Sequence, residues 1–129
     1  MKKIALIVLS MVFLMAGLAF AADQGKIVVA AEGKTAAAKV SGVAARAPYF
    51  LIFDGSGKFL EAIDNPYKTA KGGAGKSVVP LLAQKGATTV VAGEFGKNMI
   101  DAMKGRGIQY LEFRGNAEAA VKKALEAKK

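Results

Sequence analysis

From Ala74 onward the chain switches repeatedly between two hydrophobic periods. Ala74–Lys85 has helical spacing, Thr88–Ala92 is a short β-branched run, and Lys97–Lys104 is helical again. Ile108–Phe113 reads as a strand, and Asn116 caps a last helix that begins at Ala117. This αβαβα order constrains the fold more than any other feature. Strands joined through a helix run parallel with right-handed crossovers, so this half builds an open sheet with helices on its faces. In the first helical segment Val78, Leu81, Leu82 and Lys85 follow the period, and Gly86 ends it. Pro80 lies inside. An interior proline lacks a donor and kinks a helix, so the pattern predicts a helix that starts nearer Ser77 or bends. Met99, Ile100 and Met103 give the second helix an apolar face, and Val121 and Leu125 do so for the last.

The preceding residues follow a different plan. Lys26–Ala31 is a β-branched run between Gly25 and Gly33, the pattern of a buried strand. Tyr49–Phe53 is a second strand, closed by Asp54-Gly55-Ser56-Gly57, and the alternating Lys58–Ile63 pairs with it as a hairpin that Asn65-Pro66 ends. Lys34–Ala47 is Ala-rich, contains Gly42 and has no clean period, so it reads as loop with at most a short strand; Tyr67–Gly73 is a polar connection. The expected architecture is one α/β domain over residues 22–129. Its mixed five-stranded sheet has an N-terminal β-hairpin half and an αβαβα C-terminal half.

Residues 1–21 stand apart. Lys2 and Lys3 precede the apolar stretch Ile4–Phe20, and Ala19-Phe20-Ala21 has the small-x-small form of a signal-peptidase site. The apolar stretch would span about 26 Å as a helix, short of a ~30 Å hydrocarbon core, and no basic stop-transfer cluster follows. A signal cleaved after Ala21 is expected, and with it a periplasmic or secreted protein free of the membrane; an uncleaved anchor is the alternative.

The formal charge of +9 falls to +7 when Lys2 and Lys3 leave with the signal. A positive field favours an anionic partner, although it also serves solubility. The 129-residue chain has no Cys and no His. Disulfides, thiolate-ligated clusters, ordinary zinc sites and Ser/His/Asp or Cys/His triads are therefore excluded. Carboxylates are sparse. Asp54, Glu61 and Asp64 surround the hairpin, where Asp54 reads as a turn residue, and Glu94, Asp101 and Glu112 are scattered. The first strand carries no acidic residue, so a two-metal nuclease site has no foundation, and no catalytic residue is assigned. The terminal Lys122, Lys123, Lys128 and Lys129 read as a solvated face that complements a helix C-terminus.

Two glycine-bearing turns remain as candidate binding elements. Gly72-Gly73-Ala74-Gly75-Lys76-Ser77 suggests a phosphate loop, but Ala70 stands where that motif needs glycine and no strand leads into it. What survives is a helix start whose backbone N–H groups, with Lys76, are suited to an anion. Ala92-Gly93-Glu94-Phe95-Gly96-Lys97-Asn98 is a second strand-to-helix turn. In open α/β sheets ligands sit beyond the carboxyl ends of the strands, where such turns line a common crevice. Arg46, just before Ala47-Pro48, and Lys97 are placed to add positive charge. The candidate binding residues are Arg46, Gly72, Gly73, Gly75, Lys76, Lys97 and Asn98.

The series is specific when taken in order. The strand Lys26–Ala31 is followed by Arg46-Ala47-Pro48-Tyr49-Phe50 leading into Asp54, then by Asn65-Pro66 and Gly72-Gly73-Ala74-Gly75. Val90-Val91-Ala92-Gly93, Gly96-Lys97-Asn98 and Gly107-Ile108 complete it. From Lys26 to about Ala127 the chain resembles the dinitrogenase iron–molybdenum cofactor biosynthesis family, small α/β domains with a ribonuclease H-like fold. The resemblance implies that fold and a non-enzymatic role. Members bind or carry anionic metal–sulfur clusters or cofactor precursors, in some without strong covalent ligation. A non-covalently held cluster containing molybdenum, iron or copper, or a related oxyanion, is thus the expected cargo, and no nucleic acid is expected. The family often has His-Phe-Gly before the Arg-Ala-Pro stretch; here Val43, Ala44 and Ala45 occupy those places. The alternative reading is an accessory domain that has lost metal binding and serves a protein partner.

Overall fold

The computed structural model describes residues 25–127. The expected signal peptide, its cleavage point after Ala21, and Lys128 and Lys129 lie outside the described residues. The elements are β1 (Lys26–Ala31), a 3₁₀ turn (Ala44–Arg46), β2 (Tyr49–Phe53), β3 (Phe59–Asp64), α1 (Ala74–Gln84), β4 (Ala87–Ala92), α2 (Lys97–Gly105), β5 (Gln109–Glu112) and α3 (Ala117–Ala127). The five strands form one sheet in the order β3-β2-β1-β4-β5. β1 pairs antiparallel with β2, and β2 with β3, while β1–β4 and β4–β5 are parallel. This is the mixed sheet that the hairpin and the αβαβα order imply.

β1 is central and covered on both faces, which is why it reads as a continuous apolar run. Its side chains alternate between two cores. Val28 and Ala30 join Phe50, Ile52 and Val90 beneath α1 and α2, which contribute Val78, Val79, Leu82, Met99 and Met103. Ile27, Val29 and Ala31 join Leu51, Phe53 and Val91 beneath α3. The buried stripe of α3 is Ala117, Ala120, Val121 and Ala124, whose small side chains let the helix approach the sheet closely. Leu125 sits only partly buried at its edge.

One expectation needs correction. α1 starts at Ala74 rather than near Ser77, and Pro80 is its seventh residue. Gly73 precedes it with a left-handed φ of 70°, and the Ser77 N–H donates to the Gly73 carbonyl at 3.1 Å, so the first turn closes early. Pro80 removes only the bond that would reach the Lys76 carbonyl, while Val78, Val79 and Leu82 around it are fully buried. The Lys34–Ala47 segment is a loop, as its lack of a period implies. It makes the isolated bridges Ala31↔Val40 and Lys39↔Asn116 and ends in the 3₁₀ turn.

A cleft formed by two uncapped helices

Because β1 and β4 run parallel, their carboxyl ends lie side by side at one edge of the sheet. The segment after β1 crosses this edge: the Ser41 N–H donates to Ala30 O and Ser41 O accepts from the Gly93 N–H, each at 2.8 Å. The approach is so close that a Cβ on Gly93 would lie 2.9 Å from the Gly42 Cα. Beyond this crossing opens a cleft of about 240 Å³. Three pieces of chain line it: Val43, Ala45 and Arg46 around the 3₁₀ turn, Ala74 and Gly75 from the first turn of α1, and Gly96–Met99 from the start of α2.

The two helices reach the cleft with their N-termini open. In α1 the first N–H to close a helical turn is that of Ser77, onto Gly73 O, and in α2 that of Ile100, onto Gly96 O. The preceding N–H groups, those of Ala74, Gly75 and Lys76 and of Lys97, Asn98 and Met99, donate to no backbone carbonyl among the described residues. The caps are Gly73 and Gly96, neither helix has a side-chain cap, and neither has an acidic residue in its first turn. α3 is built the other way. Ala117 and Glu118 donate to the carbonyls of Ala38 and Ala36, Ala119 donates to the Asn116 Oδ1 at 2.9 Å, and Glu118 adds its charge. The same domain thus closes one helix start completely and leaves two bare, and the bare ones face a common cleft. Each supplies orphan donors and the positive end of a macrodipole.

Gly75 makes their convergence possible. A Cβ there would lie 3.0 Å from the Met99 Cβ and 3.1 Å from its N, so the absence of a side chain lets the two helix starts touch. Two cations complete the lining. Lys97 is the first residue of α2 and is exposed. The Arg46 guanidinium donates through Nη1 to the carbonyls of Lys68, at 3.4 Å, and Ala70. Its Nε and Nη2 have no protein partner among the described residues. The single ion pair among the described residues, Lys85 with Glu61 at 3.6 Å, involves neither cation.

Of the residues expected at the site, Arg46, Gly75, Lys97 and Asn98 come together in this cleft. Gly72, Gly73 and Lys76 do not line it. Gly73 serves the left-handed start of α1, and Gly72 and Lys76 are exposed alongside. Sequence reasoning missed Val43, Ala45 and Met99 as lining residues. It also missed Asn65, which is buried and holds the Arg46 turn through bonds to Ala45 O and Ala47 O. Its signals were its place before Pro66 at a strand end and the Asn65-Pro66 step in the series that carries the resemblance.

Chemically, the cleft presents N–H donors and positive charge beside small apolar side chains. Among the described residues no three His, Cys, Asp or Glu side chains gather to hold a metal ion. Such a lining suits a preformed anion better than a bare cation. Asp54 sits in the β2–β3 turn at the opposite edge of the sheet. The Ser56 hydroxyl, then the Lys58 N–H, donate to its carboxylate and hold its pKa below the usual 3.8.

The described fold is shared with solved structures. The apo form of the orange protein from Desulfovibrio gigas is 27% identical with a TM-score of 0.75, over 81% of this chain and 90% of that one. A NifB-like protein from Thermotoga is 28% identical with a TM-score of 0.68, over the same shares of 81% and 90%. No curated protein matches. A family model described as dinitrogenase iron-molybdenum cofactor matches residues 25–127, which span the sheet, all three helices and every segment lining the cleft. The chain therefore belongs to the dinitrogenase iron–molybdenum cofactor family, whose small domains are associated with metal cofactors and clusters.

Proposed function

We propose that the protein is an exported, non-enzymatic carrier that holds an anionic metal–sulfur cluster or cofactor precursor in the cleft between α1 and α2. The observation that carries this reading is the pair of uncapped helix starts on one cleft, with Arg46 and Lys97 beside them and no carboxylate in either first turn. Backbone N–H groups and cations recognise charge and shape without entering the metal's coordination sphere, so a complete anion can be taken up and released intact. Family membership supports a metal–sulfur cargo, and Lys2, Lys3 and the apolar stretch ending at Ala21 support export to a periplasm.

Titrating the full chain with tetrathiomolybdate, followed by visible absorbance at low and moderate salt, tests the carriage. Saturation near one equivalent with an affinity that weakens as salt rises is the expected result. Absence of saturable binding refutes it. Fractionation of the producing cells tests export: the chain is expected in the periplasmic fraction, shortened by its first 21 residues, the length of the expected signal. A second reading, a protein-interaction domain without cargo, draws on Val43 and Ala45. They put apolar side chains on the cleft where the family often has His-Phe-Gly, and Val43 is 47% exposed. Failure of the titration would favour it.

A further inference from the structure

Asn65 is the most deeply buried polar side chain among the described residues, with 2% of its surface exposed, and its amide bonds both to the turn that carries Arg46 and to the loop beyond β3. Its Nδ2 donates to the carbonyls of Ala45 and Ala47, both at 2.9 Å, the two residues that flank Arg46. Its Oδ1 accepts from the Tyr67 N–H at 2.9 Å, and its own N–H donates to Pro48 O at 3.1 Å. One amide therefore ties the Arg46 turn to the loop that follows β3. That loop carries the carbonyls of Lys68 and Ala70 to which Arg46 donates, and it runs on to Gly73 at the start of α1. A ring closes through Asn65, the turn, Arg46 and the loop.

We infer that Asn65 is a positioning residue for anion binding: it fixes the Arg46 guanidinium relative to the uncapped start of α1. The inference rests on the cleft being the anion site. The chemistry of the position supports it. Holding two neighbouring carbonyls of a tight turn needs two donors on one planar group, and accepting from Tyr67 needs an oxygen on the same group; among the side chains only an amide offers all three this compactly. Removing it leaves buried carbonyls without donors and frees the turn to rotate, so the cation at its centre loses its fixed direction.

A double-mutant cycle separates this role from a general structural one. Tetrathiomolybdate affinity would be measured for the full chain and for Arg46→Gln, Asn65→Ala and the double variant, with thermal melts alongside. Arg46→Gln is expected to weaken binding about tenfold, the scale of one charge-assisted contact. Asn65→Ala is expected to lose a similar factor. Adding Asn65→Ala to Arg46→Gln is expected to cost little more, because the group Asn65 acts through is already gone. If the two losses multiply, or if Asn65→Ala lowers the melting temperature while affinity stays intact, Asn65 is only a fold residue and the proposal fails with the cleft assignment unharmed. If Arg46→Gln itself leaves affinity unchanged, the cleft assignment fails, and the proposal with it. Should Asn65→Ala not fold, Asn65→Ser keeps an oxygen for the Tyr67 N–H and releases at least one of the two carbonyls. The same non-additivity with Arg46→Gln is expected of it, and multiplied losses would again refute the role.

Discussion

Lys97→Glu separates the stability of the cleft from its function. Lys97 is the first residue of α2, where a cation opposes the macrodipole, and the helix start has neither a side-chain cap nor an acid to compensate. Removing that charge and installing a carboxylate each contribute about 0.3–1 kcal/mol at an exposed helix N-terminus. The unliganded protein should therefore be stabilised by about 1 kcal/mol, which for a domain of this size raises the melting temperature by about 5 °C. Binding moves the other way. A cation at contact distance from an anion contributes about 1 kcal/mol at the dielectric of water and about 4 kcal/mol near a protein surface. Reversing the charge removes that attraction and adds an equal repulsion, so even the lower bound, about 2 kcal/mol, weakens binding about thirtyfold. The assays are thermal melting in buffer free of multivalent anions and tetrathiomolybdate titration at low salt. A higher melting temperature with unchanged affinity would show that the anion binds elsewhere. A lower melting temperature would show that the start of α2 is not electrostatically bare.

Gly75→Ala should leave the melting temperature nearly unchanged, since alanine's helix preference, about 1 kcal/mol over glycine, offsets the crowding against Met99; tetrathiomolybdate affinity should fall as the two helix starts part, and retained affinity would refute the close-approach argument. Gly93→Ala should destabilise by about 1–3 kcal/mol in denaturant melts, because its Cβ meets the backbone of Gly42 rather than a movable side chain. Asp54 has a folded pKa below its ordinary 3.8, so its contribution to stability is present above 3.8 and is lost as the pH falls through the lower folded value. The deficit of Asp54→Ala in thermal melts should accordingly be full at neutral pH and shrink in strong acid; a deficit that grows on acidification would contradict the sign.

Much of the fold was legible because the relevant forces act locally along the chain. The alternation of Lys26–Ala31 and Tyr49–Phe53 with turn residues, the Asn116 cap and the period of Met99 and Met103 are short-range patterns, and the elements stand within a residue or two of where those patterns place them. The start of α1 was not legible. The cost of Pro80 is visible in sequence, whereas the burial of Val78, Val79 and Leu82 that outweighs it exists only once the sheet is assembled. The site divides in the same way. Gly75, Lys97, Asn98 and Arg46 announce themselves as glycine turns and isolated cations. Lys76 belongs to the same turn by sequence but lies outside the cleft, because neighbouring positions on a helix point in different directions.

The sequence by itself determined the α/β plan, the positive charge, and the absence of any His or Cys that could ligate a metal. These depend on residue type and short-range period alone. Only the tertiary structure decided that α1 and α2 present their uncapped ends to one cleft while α3 has its own end closed. Whether a backbone N–H is satisfied depends on carbonyls that arrive from distant parts of the chain: Ala36 and Ala38 reach α3, and among the described residues no such carbonyl reaches the starts of the other two helices. Asn65 follows the same rule, since its partners Ala45 and Ala47 are brought to it by the pairing of β2 with β3.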